Sequence, residues 1–265
     1  MRPISKKYLL LSSLVCLSLC GCRHDVPDTA GTAQTTEIVT SETMVAAPQL
    51  MYTTPYGTFP IIEEIWYHNV HMLSVPSVPG EELMTSYLTD DPDRADAVRR
   101  ELADLAEQIT EGCTTDAERG RAIAMWVGMN IAYDFDFADD GSFQIMTAER
   151  VLTLRRGTCT GFANLYSCLC SEAGIDTLFM VGGTPSDGIP RSRLMLAPVD
   201  HAWNAFYADG EWHFVDTTWI SDLSYIDGEL SGGEQCMDQY ADMDLGSMSI
   251  EHRIDRIEKR PARTG

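Results

Sequence analysis

His201-Ala202-Trp203-Asn204-Ala205-Phe206-Tyr207-Ala208-Asp209-Gly210-Glu211-Trp212-His213-Phe214-Val215-Asp216-Thr217-Thr218-Trp219 reads as two aromatic-rich strands folded about one turn. Asp209-Gly210 is a strong hairpin signal, because the favoured two-residue turns need residues that tolerate positive φ. With those two as the loop, Ala208 faces Glu211, and the same register sets Trp203 opposite Asp216 and His201 opposite Thr218. His201 and Asp216 then become diagonal neighbours on one face, roughly 7–8 Å apart at Cα, a gap their side chains can bridge. His213 faces Phe206 and falls on the other face, where it reads as packed or partly exposed. A four-residue loop about the same centre keeps this register, whereas a three-residue loop would flip one partner and separate the pair.

Upstream, Ile175 to Val181 reads as a strand and Gly182 to Val199 as a Pro- and Gly-containing loop. Before them, Thr158-Cys159-Thr160-Gly161-Phe162-Ala163 opens a helix in which Ala163, Tyr166, Leu169 and Cys170 recur at core spacing and Gly174 is the stop. Cys159 therefore stands at a helix N-terminus, where unpaired N–H groups and the helix dipole stabilise a thiolate and can hold an oxyanion. Gly157 or Gly161 beside the thiol is expected to let a substrate carbonyl approach. A short helix carrying Val151 and Leu152 precedes, and Thr115-Asp116-Ala117-Glu118 has capping-box spacing ahead of a helix from about Asp116 to Asn130. A lone cysteine in an apolar helix is by default an inert core side chain, and Cys168 and Cys170 are read that way. Cys159 differs because two further residues meet distinct needs. Cys159 would attack a carbonyl, His201 would carry the proton, and Asp216 would orient the imidazole and stabilise its charged form.

Taken together, Trp126-Val127, Asn130-Ile131-Ala132-Tyr133-Asp134, Arg156 to Ala163, Gly174-Ile175, His201-Ala202-Trp203-Asn204 and Asp216-Thr217-Thr218-Trp219 resemble, in order, the bacterial transglutaminase-like superfamily. The resemblance implies an α+β, papain-like fold in which a nucleophile-bearing helix packs on an antiparallel sheet that carries His and Asp. It maps Cys159, His201 and Asp216 onto the family's catalytic triad and puts Tyr133 where an oxyanion-side contact is expected. Tyr240 to His252 loosely resembles the family's tail, with no role derivable from the residues. The chemistry implied is a thioester intermediate on Cys159, with the acyl group passing to water or to an amine, and no metal or other cofactor. The substrate implied is a peptide, a protein or a cell-wall peptide. Two other readings remain. Cell-wall endopeptidases of the NlpC/P60 type also open with a helix-borne Cys, but they place a second polar residue, often His, where the hairpin here puts Asp216. The fold could also serve as a non-catalytic surface-binding module.

The 265 residues carry 19 Lys plus Arg against 40 Asp plus Glu, a net charge of −21, the wrong sign for a nucleic-acid partner. Arg2, Lys6 and Lys7, the apolar run Tyr8 to Leu19, and Leu19-Cys20-Gly21-Cys22 read as a secretory leader ending in a segment that resembles the bacterial lipobox. Residues 1–21 are then the signal, Cys22 the lipidated first residue, and 22–50 a flexible tether. A plain signal cleaved nearby is the alternative. Residues 51–110 read as a mainly helical extension and 111–265 as the transglutaminase-like domain. The expected location is the extracytoplasmic side of a bacterial membrane, held by lipid, since the charge opposes adhesion to anionic headgroups. Of eight cysteines, Cys113, Cys159, Cys168, Cys170 and Cys236 remain after the leader and the lipid, an odd number that requires a free thiol. His68 and His71 lack an evident third metal ligand, and Asp134 to Gly141 lacks the EF-hand pattern and reads as a solvated loop.

Overall fold

The computed structural model describes residues 51–54, 57–60, 80–139, 146–185 and 189–263. The expected leader (1–21), Cys22, the expected tether, and His68 with His71 lie outside the described residues. Met51–Thr54 (β1) and Gly57–Pro60 (β2) pair as a hairpin. The helices Glu81–Leu88 (α1) and Ala95–Ile109 (α2) follow, the second entered through a 3-10 turn whose Asp91 carboxylate accepts the Asp93 N–H. Val98, Leu102 and Ala106 recur along one stripe of α2 and are buried in the same core as the rest of the chain.

Asp116–Asn130 (α3) starts where the Thr115 hydroxyl accepts the Glu118 N–H and the Glu118 carboxylate accepts the Thr115 N–H. Ala132–Asp134 (β3), Phe135–Asp139 (α4), Ala148–Leu154 (α5) and Arg156–Gly157 (β4) lead into Cys159–Glu172 (α6). That helix is buried on nearly every side, from Cys159 to Cys170, which is why its sequence is apolar all round. Gly174, at φ +79°, ends it.

Two four-stranded sheets flank the helix. One has the order β10-β5-β6-β7 and is antiparallel, built from Thr177–Gly183 (β5), His201–Ala208 (β6), Glu211–Val215 (β7) and Arg253–Arg260 (β10). The other has the order β4-β3-β8-β9, with Ser224–Ile226 (β8) and Glu229–Ser231 (β9). Between them lie the one-turn helix Thr217–Ile220 (α7) and, before β10, Leu245–Glu251 (α8). Asn204 ties helix to sheet: its side-chain amide donates to the Ala163 carbonyl, the Ser167 hydroxyl and the Leu178 carbonyl.

The hairpin has the expected turn, with Asp209 at φ 52° and Gly210 at φ 91°, and the expected pairs from Ala208↔Glu211 to Asn204↔Val215. Pairing ends there. Asp216 leaves the ladder to cap α7, and His201 is paired instead with Gly182 on β5. Gly182 is a close-approach position, because a Cβ there would sit 1.7 Å from the Arg253 carbonyl oxygen and 2.9 Å from the Trp203 ring. Gly182→Ala is therefore expected to lower stability by at least about 1–3 kcal/mol. Urea unfolding, set beside Gly80→Ala where the added methyl meets nothing within 4 Å, measures the difference.

Candidate active site

Cys159 is the first residue of α6, preceded by an extended Thr158 that offers no side-chain cap. The first hydrogen bond of the helix runs from the Phe162 N–H to the Thr158 carbonyl, so the N–H groups of Cys159, Thr160 and Gly161 precede the repeating ladder. The thiol is 9% exposed and lies with Ala163, Phe179 and Ala202, with Tyr133 and Val181 at the margin. Its sulfur is 3.9 Å from the Asp200 carbonyl oxygen. Gly157 and Gly161 do not open this pocket, contrary to the sequence expectation. Their missing side chains face α5 and its approach, where a Cβ on Gly161 would meet Val151 at 2.8 Å and Met146 at 3.2 Å. The two glycines serve close packing of α5 against α6.

His201 opens β6 on the far side of the thiol and is 8% exposed. Its Nε2–H donates to Asp216 Oδ2 at 2.7 Å, and its ring interacts electrostatically with Cys159. Because Nε2 is committed to the carboxylate, Nδ1 is the nitrogen left for sulfur. Trp203 and Trp219 lie nearly parallel to the imidazole, at centroid distances of 5.9 and 5.6 Å. Asp216, at 0% exposure, accepts four N–H groups. His201 and His252 donate to Oδ2 through Nε2 at 2.7 and 3.0 Å, and the backbones of Thr218 and Trp219 donate to Oδ1 at 3.1 Å each. The structure thus brings Cys159, His201 and Asp216 into one series from three separate segments.

The electrostatics follow from these contacts. Burial alone would lower the His201 pKa, but the Asp216 charge, the bond to it, and the interaction with Cys159 outweigh that and push it up to about 10. Burial would likewise raise Asp216, yet the charge and bond of His201 and the bond of His252 hold the carboxyl well below the usual carboxylate range. His252 is pushed down, chiefly by burial, against the bond and charge of Asp216. Cys168 and Cys170 lie in the core, where burial raises their thiols to about 11 and about 12. All five cysteines among the described residues are free thiols.

Tyr133, on β3, borders the thiol pocket and packs its ring 4.7 Å from Phe135. Its backbone N–H is committed to the Leu223 carbonyl at 2.8 Å, so a contact with an oxyanion would come from its side chain. His213 stacks on Phe206 and bonds Asp242 on the face away from the site. The acidic segment after Tyr133 is not simply solvated. Asp134 is buried against Arg156 at 3.0 Å, and Asp136 accepts the N–H groups of Asp227 and Gly228, while residues 140–145 lie outside the described residues. His252 is the site residue that sequence reasoning passed over. It comes from a segment more than 30 residues beyond the hairpin, and its only signal was the Tyr240 to His252 likeness. Together, His201, Asp216 and His252 place three possible metal ligands within 4.8 Å of one another. However, Oδ2 lies 2.7 and 3.0 Å from the two nitrogens, closer than the roughly 3.3 Å between adjacent ligands on tetrahedral zinc with bonds of about 2.0–2.1 Å. The trio has the spacing of hydrogen bonds.

A buried cysteine at a helix N-terminus, facing a histidine and an aspartate across a helix–sheet junction, defines the class of α+β proteins with a Cys-His-Asp site. Residues 103–217 match the family model described as "Transglutaminase-like superfamily", so this segment is similar to that superfamily. Two similar proteins are the kyphoscoliosis peptidases of Mus musculus, 32% identical over 126 residues, and of Homo sapiens, 34% identical over 122. These alignments cover 48% and 46% of this chain but only 19% and 18% of the relatives, so the chain spans about a fifth of their length. A solved structure described as a TGase is 19% identical over 49% of this chain and 33% of that one, with a TM-score of 0.37.

The raised His201 pKa sets the sign of a pH effect on stability. A group raised on folding contributes fully below its ordinary value of 6.5, and that contribution is lost as the pH climbs to about 10. The stability difference between the wild type and His201→Ala, measured by urea unfolding, should therefore shrink steadily between pH 6.5 and 10. Asp216 acts in the opposite sense. Its contribution is present above 3.8 and is lost as the pH falls below that.

Proposed function

We propose that this protein is an extracytoplasmic cysteine enzyme that forms a thioester on Cys159 from a peptide or protein amide. The acyl group then passes to water, or to an amine in a crosslinking version. The observation that carries the reading is the series Cys159, His201, Asp216, with Nε2 of the imidazole held by a buried carboxylate, Nδ1 left for the sulfur, and the ring's electrostatics coupled to Cys159. Stepwise, the Cys159 thiolate attacks the amide carbon, and the carbonyl electron pair moves onto oxygen. The N–H groups that begin α6, with the side chain of Tyr133, are suited to hold that oxyanion. As the tetrahedral species collapses, His201 gives its Nδ1 proton to the departing amine and the thioester remains. His201 then takes a proton from the incoming water or amine as it attacks the thioester, and the thiolate is expelled with its charge restored. The peptidase name of the mouse and human relatives supports water as the acceptor. The leader and Cys22 support export and lipid anchoring, with peptides, proteins or cell-wall peptides as the accessible substrates.

Iodoacetamide labelling of purified residues 23–265, read by mass spectrometry, tests the nucleophile. Cys159 should react faster than Cys113 and Cys236 and lose that advantage by at least about tenfold in His201→Ala. Equal, slow labelling of all three, unchanged in the variant, would remove the enzymatic reading. Fluorescent peptides incubated with and without a primary amine then separate hydrolysis from transfer. For the anchor, Cys22→Ser should shift the expressed protein from the detergent-extracted membrane fraction to the soluble one. A variant that stays in the membrane fraction would argue against lipidation at that residue.

A further inference from the structure

His252 lies outside the 103–217 segment that matches the family model, yet it is among the most completely buried polar side chains of the described residues, at 2% exposure. Its Nε2 lies 3.0 Å from Asp216 Oδ2, and its Nδ1 lies 3.2 Å from the Met248 carbonyl. Its ring is 4.8 Å from that of Trp203 and 4.5 Å from that of Trp219, the two indoles that flank His201. The sheet accounts for the convergence. His201 begins β6 opposite Gly182, Arg253 begins β10 opposite Gly183, and with no side chain at Gly182 the two imidazoles come within 5.8 Å.

We infer that His252 is a positioning residue for the proposed catalysis, donating its Nε2–H to Asp216 so that Oδ2 stays aimed at His201. The inference rests on the reading under Proposed function. A buried carboxylate with one strong partner can turn toward it, or be neutralised by a proton. One with two donors on Oδ2 and two on Oδ1 has its orientation and its charge both determined. Burial and the nearby His201 charge disfavour a second positive charge here, so the single N–H of an uncharged His252 goes to the carboxylate, the stronger acceptor, and the approach of Nδ1 to the Met248 carbonyl is a contact and not a second hydrogen bond. The ionisable groups in this cluster are Cys159 from α6, His201 from β6, Asp216 ahead of α7 and His252 itself, with Asp200 exposed beside His201. Nearby charges are directed elsewhere. Glu251 pairs with Arg191 and accepts from the Tyr240 hydroxyl, while Arg253 holds Asp255 and the carbonyls of Leu194 and Ala197.

The experiment is the pH profile of iodoacetamide alkylation at Cys159 between pH 4 and 9, in the wild type, His201→Ala, His252→Leu and His252→Gln. Leu fills the space without a donor, whereas the Gln amide reaches the position of Nε2 and restores one. His252→Leu should alkylate about tenfold more slowly at the acid end, with its acid limb moved up by about one pH unit, as expected when an ionised group loses one hydrogen bond. His252→Gln should return most of both. Where Leu fails to fold by circular dichroism, His252→Asn takes its place. The Asn side chain ends near the Nδ1 position and falls short of Asp216, so it should behave as Leu does. A folded Leu or Asn variant with the wild-type profile would overturn the inference while leaving the enzyme reading intact. Equal impairment in Gln and Leu would overturn it too, as a space-filling role. A wild-type Cys159 that is slow and indifferent to His201→Ala would overturn both.

Discussion

The arrangement depends on one buried charge. Asp216 is withdrawn completely from water, and an ionised carboxylate in such a place persists only if its lone pairs are met. Here the donors come from three directions: the start of β6, the first turn of α7, and the junction of α8 with β10. Each of those segments is thereby drawn toward one point. The backbone N–H of Asp216 adds a further tie by donating to the Tyr240 carbonyl, so the C-terminal loops are bound to the same residue that orients the imidazole. A change that misplaces any of these elements leaves a buried donor or a buried charge unmet, at a cost larger than the contact it replaces.

The nucleophile is fixed by apolar packing. The helix bearing Cys159 is surrounded, and Gly157 just ahead of it and Gly161 on its first turn allow α5 to approach closely. Asn204 then fixes the helix against β6 through bonds to both α6 and β5. Because Asn204 and His201 share one strand, the depth of the helix on the sheet and the reach of the imidazole to sulfur are set together. This gives the His-Ala-Trp-Asn string a physical reason: one residue for the proton, one indole beside the ring, and one amide to lock the layers.

Much of this was legible because it is local. The Asp209-Gly210 turn, the Thr115–Glu118 cap, the place of Cys159 at the head of its helix, and the opposite faces of His201 and His213 each depend on residues close in sequence, and each occurs where period and turn chemistry put it. What escaped depends on contacts between distant segments. Extending the hairpin register through Asp216 treated that residue as a strand position, but its bonds to Thr218 and Trp219 make it the cap of a helix. It still reaches His201, by a different route from the diagonal of a ladder. That Gly157 and Gly161 face α5 and not a substrate is invisible in one sequence, because nothing local says which distant neighbour a helix face meets. The burial of Asp134 is likewise hidden, because nothing in its own segment announces Arg156 as its partner.

The same distinction bears on where the functional unit ends. The segment matching the superfamily stops at residue 217, one past Asp216, and by sequence motif alone the site would be complete there. Physically it is not. Trp219, stacked near His201, and His252, bonded to Asp216, both lie beyond that point. So does β10, which pairs with β5 along nearly its whole length and so supports the strand on which β6 is laid. A three-residue signature describes the atoms that would exchange protons and electrons. The field and geometry acting on those atoms come from about 45 further residues, whose own sequence carries no catalytic motif because their contribution is made through Asp216.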